Sequence, residues 1–496
     1  MPDATITRSG NVLEVKPAFE SILGRELTYT HRQMNYVRRR GPGQHQDISF
    51  LERKLYRIDQ DRLYTLQGAL QLVTEALRRK GLSYEYHDLR PVRNIEPDYE
   101  YFATVLPDLV FRLKQDEILA TLVTESNGII VAPTAYGKTF IMLALVALYP
   151  KSCIIIASPH VTLLNSTYRR MLKITQDVGC VGGGRDAPGR VTLATFGSIM
   201  KAPVKECDIL LIDEAHRAVA PQISQNLACI RSAVKIFGMT ATAKGRSDGA
   251  ERAMEVLIGP EIYKIEYEEA AQAGVVSKIK VVMSDLPAID MPSSASFRMK
   301  PTKKRHCYWR NSVRNQTIAR ACQVVPQQHG FPQDCQTLVL AETTQHAFHL
   351  ARYMPDYTVV YANMDKERLE ELDRMGVLPA NYVPLTTKQR EVLQRDFEEG
   401  KLRKVIATGC WGEGVDFVYL DVLCNASGSA SPIDIVQWSG RNSRMHDGKL
   451  FGLVLDFNDA WDKWTLQRTK SRLSIYRKYQ WELISATLTG SATHSS

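Results

Sequence analysis

The chain has 496 residues, 44% hydrophobic and 24% charged, which is ordinary for a soluble globular protein of about three domains. Its 63 Arg and Lys residues outnumber its 54 Asp and Glu residues, so the net charge is +9. That excess suits a polyanionic partner, but a merely basic enzyme accounts for it equally well.

Cysteine usage and hydropathy exclude several classes of protein. None of the nine cysteines forms a C-x-x-C pair, so a zinc site has little support and the thiols are expected to be reduced. The polar residues 1–10 contain no apolar signal core. The longest apolar run, residues 140–149, is too short to span a bilayer and predicts a buried helix. We therefore expect a cytoplasmic protein with no membrane partner, and the sequence identifies no protein partner.

Residues 1–95 predict a small α/β accessory domain. A strand is expected at 11–15 and a helix at 66–80, where apolar residues recur at helical spacing. This fifth of the chain holds 16 Arg and Lys residues against 11 Asp and Glu residues. Its basic cluster Arg38-Arg39-Arg40 either contacts nucleic-acid phosphates or is a solvated loop, and we favour the contact.

Two regions of alternating strands and helices predict two parallel sheets. The first domain is placed at 96–275, with strands at 128–132, 153–157, 191–194, 209–212 and 235–238. The second is placed at 276–460, with strands at 337–341, 404–408, 422–426 and 451–457. The Gly182-Gly183-Gly184 run is expected to be a turn, because no helical pattern follows it.

The segment 461–496 is basic and aromatic, and its end is expected to be disordered. Six cations and no acid occur between Lys463 and Lys478, with Trp464, Tyr476, Tyr479 and Trp481 interleaved or close by. The mixture suits phosphate contact with base stacking, but a helix that packs its aromatic side chains on the second domain is equally favoured.

A phosphate-binding loop is predicted between the strand at 128–132 and the apolar helix. It reads Ala132-Pro133-Thr134-Ala135-Tyr136-Gly137-Lys138-Thr139. Gly137 lets the backbone approach a phosphate, Lys138 is expected to reach the β and γ phosphates of ATP, and Thr139 is expected to bind Mg²⁺.

An acidic pair follows the strand at 209–212. The carboxylate of Asp213 should emerge at the carboxyl edge of the sheet and hold Mg²⁺. Glu214 should act as general base on the attacking water. A salt-bridged helix N-cap is the alternative, and it is weaker because Ala215 and His216 complete a known motif.

A third motif, Gln437-Trp438-Ser439-Gly440-Arg441-Asn442-Ser443-Arg444, lies in the second domain. Arg441 and Arg444 are three residues apart and are expected to share one helix face. With Gln437 they are predicted to reach ATP from the second domain, since a guanidinium suits γ-phosphate oxygens. A solvated basic helix turn is the alternative.

These motifs resemble those of superfamily 2 helicases of the DEAH-box kind, over residues 108–460. The resemblance implies two tandem RecA-like parallel-sheet domains, here with the N-terminal α/β accessory domain. It implies that ATP is further bound by Arg112, Gln115, Pro133, Thr134, Ala135, Tyr136, Gly414 and Asp416. It also implies that nucleic acid is contacted by Pro159, His160, Thr195 and Thr408.

Within this superfamily the chain is most similar to phage UvsW-type recombination helicases and their XPB- and RadD-like relatives. The resemblance implies an ATP- and Mg²⁺-dependent DNA helicase that remodels branched or duplex DNA, in the host cytoplasm if the protein is of phage origin. The alternatives are an RNA-dependent ATPase of the same fold, a restriction-type translocase and a non-catalytic nucleic-acid scaffold. Ala243 departs from the family pattern, and the stretch 365–384 is longer than the family's loop.

Overall fold

The computed structural model describes residues 2–38, 44–90, 95–241, 250–289, 300–362, 364, 366–378, 382, 384–411, 417–446 and 448–486. The chain divides into two compact units. The first contains residues 1–37 and 46–266, and most of the second is residues 267–496.

The N-terminal part of the first unit is an α/β domain. Its elements are β1 (Ala4–Ser9), β2 (Val12–Lys16), α1 (Glu20–Glu26), β3 (Thr28–Arg38), β4 (Gln44–Lys54), β5 (Tyr56–Asp59), β6 (Arg62–Leu66), α2 (Leu70–Arg79) and β7 (Tyr84–Asp88). Five strands form a sheet in the order β5-β6-β2-β1-β7, and α1 and α2 pack in its core. The predicted strand and helix are confirmed as β2 and α2.

Strands β3 and β4 form a separate two-stranded sheet, called the ribbon below. Each strand has 11 residues, which corresponds to a length of about 36 Å. The sequence predicted only a basic loop here. Tyr29 and Leu55, at the base of the ribbon, pack against the core of the neighbouring eight-stranded sheet.

The rest of the first unit is the first predicted parallel-sheet domain. Its elements are α3 (Tyr99–Val105), α4 (Gln115–Thr124), β8 (Asn127–Val131), α5 (Lys138–Leu148), β9 (Ile154–Ser158), α6 (Val161–Met171), β10 (Val178–Gly182), β11 (Arg185–Ala187), β12 (Val191–Thr195), β13 (Ile209–Asp213), α7 (Pro221–Ala228), β14 (Lys235–Thr240), α8 (Glu251–Ile258) and β15 (Glu261–Lys264). The strand order is β11-β10-β12-β9-β13-β14-β8-β15, and β11 alone among these described strands pairs antiparallel. All five predicted strands are present, and the turn predicted at 182–184 joins β10 to β11.

Helix α8 attaches the N-terminal domain to this sheet. Val256 of α8 is buried in the core of the N-terminal domain. A Cβ atom on Gly68 would lie only 2.4 Å from the carbonyl oxygen of Glu255, so the backbones of the two parts are in close contact. The N-terminal domain therefore belongs to the same compact unit as the first parallel sheet.

The second unit contains the second predicted parallel sheet. Its elements are α9 (Tyr267–Gln272), β16 (Lys278–Asp285), α10 (Lys300–Lys304), α11 (Ser312–Gln328), β17 (Thr337–Leu340), α12 (Thr344–Ala351), β18 (Thr358–Val360), α13 (Lys366–Arg374), α14 (Thr387–Glu398), β19 (Lys404–Ala407), β20 (Val422–Cys424), α15 (Pro432–Arg441), β21 (Phe451–Asn458), α16 (Lys463–Lys478) and β22 (Glu482–Ala486). The strand order is β18-β19-β17-β20-β21-β16-β22, and neighbouring strands among these described residues pair parallel. The four predicted strands are present as β17, β19, β20 and β21.

The C-terminal segment is part of this second sheet domain. Tyr476 and Trp481 are buried in its core, and β22 adds an edge strand to the sheet. Of the two interpretations left open by the sequence, the helix that packs its aromatic side chains on the domain is the observed arrangement.

The long stretch at 365–384 contains α13. Leu372 and Val377 pack with Phe348 and Tyr361 in a small apolar cluster. In the part of the chain that the structure describes, no helix is long and apolar enough to cross a membrane.

Candidate ATP site and nucleic-acid edge

Three neighbouring strands bring the predicted ATP-site residues to one edge of the first sheet. The phosphate loop follows β8, Asp213 ends β13, and β14 lies between these two strands and ends at Thr240. Because the three strands are parallel, their carboxyl ends meet at the edge where such sheets bind ligands.

The phosphate loop needs residues that tolerate left-handed backbone conformations. Ala135 has φ 68° and Gly137 has φ 104°, and α5 begins at Lys138. A Cβ atom on Gly137 would lie 2.7 Å from Nε2 of Gln115, so a side chain there would displace that amide. The loop therefore places the N-terminus of α5 at the carboxyl edge of the sheet. A helix N-terminus favours the binding of an anion such as phosphate.

Gln115 clamps this loop to the segment before α4. Its Oε1 accepts from the backbone N of Arg112 at 2.9 Å, and its Nε2 donates to the carbonyl of Tyr136 at 2.9 Å. The Tyr136 ring is buried and its hydroxyl donates to the carbonyl of Leu113, which explains a bulky residue in this loop. In the structure, Gln115 holds the phosphate loop in place through these two hydrogen bonds. Binding of adenine by Gln115 and Arg112 stays a prediction.

Lys138 lies at the mouth of the loop. Its Nζ donates to the carbonyl oxygens of Ala132 and Pro133, at 3.0 Å each. Charged acceptors form stronger hydrogen bonds with an ammonium than neutral carbonyls do. The side chain can therefore exchange these bonds for phosphate oxygens.

Asp213 is a buried carboxylate with a perturbed titration. Burial, and then the nearby charge of Glu214, raise the pKa of Asp213, while Lys138 opposes the shift. A bound cation favours the ionised form of such a group. The hydroxyl of Thr139 and the carboxylate of Asp213 are the oxygen ligands that Mg²⁺ prefers. Among the described residues, no three His, Cys, Asp or Glu side chains form a metal-binding group.

Glu214 and His216 connect the acidic pair to the central strand. Glu214 has φ 49°, and its Oε2 lies 3.4 Å from Nδ1 of the buried His216. The same nitrogen lies 3.1 Å from Oγ1 of Thr240, whose carbonyl accepts from the backbone N of Ala132 at 3.0 Å. Thr240 thus contacts the phosphate loop at Ala132 and also contacts His216, which lies beside Glu214. The sequence signal for Thr240 is its position at the end of a strand that lies between the two ATP-site strands.

The predicted nucleic-acid residues of the first domain lie at the same sheet edge. Pro159 and His160 follow β9, and Thr195 ends the adjacent strand β12. The backbone N of Phe196 donates to the carbonyl of Ser158 at 3.0 Å, which ties the two strand ends together. The structure therefore brings these three residues together, and their contact with nucleic acid stays a prediction.

In the second unit, Gln437 and Arg441 are buried on α15. Arg441 Nη1 donates to the carbonyl of Trp411 at 3.1 Å. The helix ends at Arg441, so Arg444 lies beyond it and the expectation of a shared helix face is wrong.

The reason is the way in which Asn442 ends the helix. Its Nδ2 donates to the carbonyl of Leu453 at 2.8 Å, and Nζ of the buried Lys449 donates to the Asn442 carbonyl at 2.7 Å. These two hydrogen bonds fix the residue at which the helix ends.

Thr408 follows β19, and its backbone N donates to the carbonyl of Val360 at 3.1 Å. Arg38 ends β3. Arg39, Arg40, Ala243, Gly414 and Asp416 lie outside the described residues.

Comparisons with known proteins agree with this geometry. The family described as "Type III restriction enzyme, res subunit" matches residues 108–245, and the helicase conserved C-terminal domain matches residues 332–446. The chain is 23% identical over 396 residues to the DNA 3'-5' translocase XPB2 of Sulfurisphaera tokodaii, covering 74% of this chain and 88% of that protein.

Solved structures show the same fold. Dbp5 of S. cerevisiae bound to RNA and ADP BeF3 aligns with TM-score 0.54 and 15% identity, over 78% of this chain and 92% of that one. The comparison also found UvsW of T4, over 98% of this chain and 99% of that one; its TM-score of 0.41, at 16% identity, is too low to bear on the fold.

The two parallel sheets, the two family matches and the Dbp5 alignment show a helicase fold with two RecA-like domains. In sequence the chain is similar to an XPB-type translocase of superfamily 2. The finer likeness to DEAH-box and UvsW-type helicases stays a prediction.

Proposed function

We propose that the protein is an ATP-driven DNA translocase that remodels branched DNA. The observation that carries this proposal is the common sheet edge of the first RecA-like domain. The phosphate loop, the acidic pair Asp213-Glu214 and the predicted nucleic-acid residues Pro159, His160 and Thr195 all lie there. A site with both sets of residues can couple nucleotide chemistry to a bound strand.

The residues of the loop and the acidic pair have distinct roles in hydrolysis. The N-terminus of α5 and Lys138 bind and orient the phosphates, while Thr139 and Asp213 hold Mg²⁺. The metal supplies charge neutralisation on the phosphate oxygens when it is bound. Glu214 orients the attacking water and accepts its proton. Roles of Gln437, Arg441 and Arg444 in turnover are proposed from the resemblance alone.

DNA is favoured as the polymer by the relative that the chain resembles over most of its length. That protein is named a DNA 3'-5' translocase, and 88% of it is covered. The net charge of +9 supports a polyanionic substrate.

Preference for branched DNA is assigned to parts outside the two motor sheets. Helicase motors grip mainly the sugar-phosphate backbone, which carries little information about branching. The N-terminal domain is attached to the first motor sheet through α8, so the ribbon can hold a DNA structure while the motor pulls on a strand. In the sequence, the basic cluster Arg38-Arg39-Arg40 starts at the last residue of β3.

The test compares ATP hydrolysis with no nucleic acid, single-stranded DNA, duplex, a fork, a four-way junction and RNA of matched length. We expect stimulation by DNA, with forks and junctions strongest, and none in Lys138→Ala. Stimulation by RNA alone would identify an RNA-dependent ATPase, since only RNA carries the 2′-hydroxyl. Binding of nucleic acid without hydrolysis would identify a scaffold. Equal stimulation by all DNA forms would remove the branched-DNA part of the proposal.

A further inference from the structure

The loop that leads from β20 into α15 is held by arginine side chains. Arg314 Nη1 donates to the carbonyl of Ala426 at 2.6 Å. Arg468 Nη2 donates to the carbonyl of Gly428 at 2.6 Å, and Arg472 Nη1 donates to the same oxygen at 3.3 Å. The Gly428 backbone is left-handed, with φ 58°, and a Cβ atom there would meet the ring of Tyr308 at 2.3 Å. This short loop therefore has little freedom.

Two of these arginines are themselves fixed by buried carboxylates. Arg314 Nε donates to Asp459 at 2.9 Å, and Arg472 donates to Asp456 at 2.8 Å and to Asp459 at 3.0 Å. All four side chains are fully buried. Breaking such a network leaves an uncompensated buried charge, so its geometry is rigid.

Arg468 completes the connection from α16. Its guanidinium lies over the ring of Trp464, 5.2 Å from the centroid, and over the ring of Tyr308 at 5.7 Å. Cation–π contacts of this kind hold the group in one orientation. Helix α16, whose cations suited phosphate contact in the sequence, thus directs Arg468 and Arg472 toward the β20–α15 loop, whereas Lys470 is exposed.

Hydrogen bonds of three serines connect the β20–α15 loop to the first turn of α15. Ser427 Oγ accepts from the backbone N of Ser429 at 3.1 Å, and Ser429 Oγ donates to Asp434 at 3.0 Å. Ser431 is the N-cap of α15 and accepts from the backbone N of Asp434 at 3.3 Å. The loop that the arginines hold is thereby continuous with the first turn of this helix.

We propose that α16 positions α15, and that Arg468 is a positioning residue for the Gln437 and Arg441 side chains in ATP turnover. The proposal rests on the proposed function of those two residues. It assigns a role to a segment beyond the matched helicase C-terminal region, which ends at residue 446.

The test uses the full chain with Arg468→Met, which keeps the apolar stem and removes the donor to Gly428. Lys470→Met is the matched control, with the same loss of charge on the exposed face of α16. We expect kcat for DNA-stimulated ATP hydrolysis to fall about tenfold in Arg468→Met, since a hydrogen bond from a charged donor is lost. The KM for ATP should change less than about twofold, and Lys470→Met should match the wild type.

Hydrogen exchange separates this proposal from the proposed function. Faster exchange in Arg468→Met, confined to residues 427–437, supports positioning even if no ATPase activity is found in the wild type. An unchanged kcat in an active enzyme would overturn the proposal. Uniformly faster exchange across the second sheet would also overturn it, because it would show a general structural role.

Discussion

Oγ1 of Thr240 lies 3.1 Å from Nδ1 of His216, and the carbonyl of the same threonine accepts from the backbone N of Ala132 at 3.0 Å. One residue at the end of β14 therefore joins the start of the phosphate loop to His216. Glu214 is linked in turn, since its Oε2 lies 3.4 Å from that histidine nitrogen. A shift of the phosphate loop can reach the proposed general base through Thr240.

Replacing Thr240 with valine should lower ATP turnover. Thr240→Val keeps the shape of the side chain and removes the hydroxyl that faces His216, so the orientation of Glu214 is less restrained. We expect kcat to fall about fivefold, with little change in KM, as for the loss of one buried hydrogen bond. Thr192→Val is the control, because Thr192 is equally buried in the same sheet and its hydroxyl bonds only within its own loop. Equal rates in the two variants would contradict the prediction.

Lys138→Ala should abolish ATP hydrolysis and leave DNA binding nearly intact. The ammonium sits at the mouth of the phosphate loop, and the loss of its bond to phosphate should lower the rate at least about 100-fold. Lys151→Ala, at an exposed lysine of the same domain, should hydrolyse ATP normally. Steady-state hydrolysis and fluorescence anisotropy with labelled DNA measure the two properties. Substantial Mg²⁺-dependent hydrolysis by the pure Lys138 variant would remove this lysine from the site.

Glu214→Gln should bind ATP but not turn it over. The substitution removes the proposed base and leaves Asp213 to bind Mg²⁺, so the ATP-bound protein should accumulate on DNA. The measurements are ATP affinity by calorimetry and single-turnover hydrolysis. Glu100→Gln, at an exposed position of α3, is the control. Loss of ATP binding together with turnover would show that Glu214 has another role.

Sequence patterns predicted the parts of this fold that local interactions determine. Runs such as 209–212 are apolar over a full strand length, and burial on both faces of a parallel sheet requires that pattern. Side-chain networks formed between distant segments were not predictable in this way. In the sequence Arg472 was one of six cations suited to phosphate contact, yet its partners Asp456 and Asp459 lie on and after strand β21.

The wrong prediction for Arg441 and Arg444 has the same origin. Two side chains three residues apart share one face only if the helix continues through both. This helix ends before Arg444, where Asn442 accepts a hydrogen bond from Lys449 and donates one to Leu453, and both partners lie later in the chain. Gln115 likewise gave no sequence signal for its bond to Tyr136.

Lys235 should make the stability of the first domain depend on pH. Its Nζ is buried at the end of α4 and donates to the carbonyls of Leu122, Val123 and Glu125. Burial lowers the pKa of Lys235 from 10.5 to about 8. Between these two values the unfolded chain binds more protons than the folded chain, so the free energy of unfolding rises with pH.

Lys235→Met lacks this titration. The difference in unfolding free energy, wild type minus variant, should therefore increase from pH 8 to pH 10.5. Denaturant titrations at several pH values measure it, and Lys151→Met controls for loss of an exposed lysine. A difference that stays constant or falls over this range would contradict the lowered pKa.

Removing the ribbon should leave ATP hydrolysis stimulated by single-stranded DNA in place but reduce the unwinding of forks and four-way junctions. Deleting all of residues 1–95 is a poor test, because Val256 of α8 would lose the apolar core in which it is buried. Replacing residues 33–49 with Asn-Gly is sharper, since that dipeptide closes a two-residue hairpin and Tyr29 and Leu55 remain packed on the first sheet.

In this ribbon variant, ATP hydrolysis stimulated by single-stranded DNA should stay near the wild-type rate, because the motor sheets are intact. Unwinding of forks and four-way junctions should fall sharply. Changing Arg38, Arg39 and Arg40 to glutamine in the full chain isolates the charge. If all three contact phosphates, the slope of log K against log salt for duplex binding should flatten by about 2.7. A ribbon variant that still folds and processes junctions like the full chain would exclude the ribbon as the reader of DNA structure. The segment 365–384 with helix α13 would then be the better candidate, because it is the other long addition to the motor.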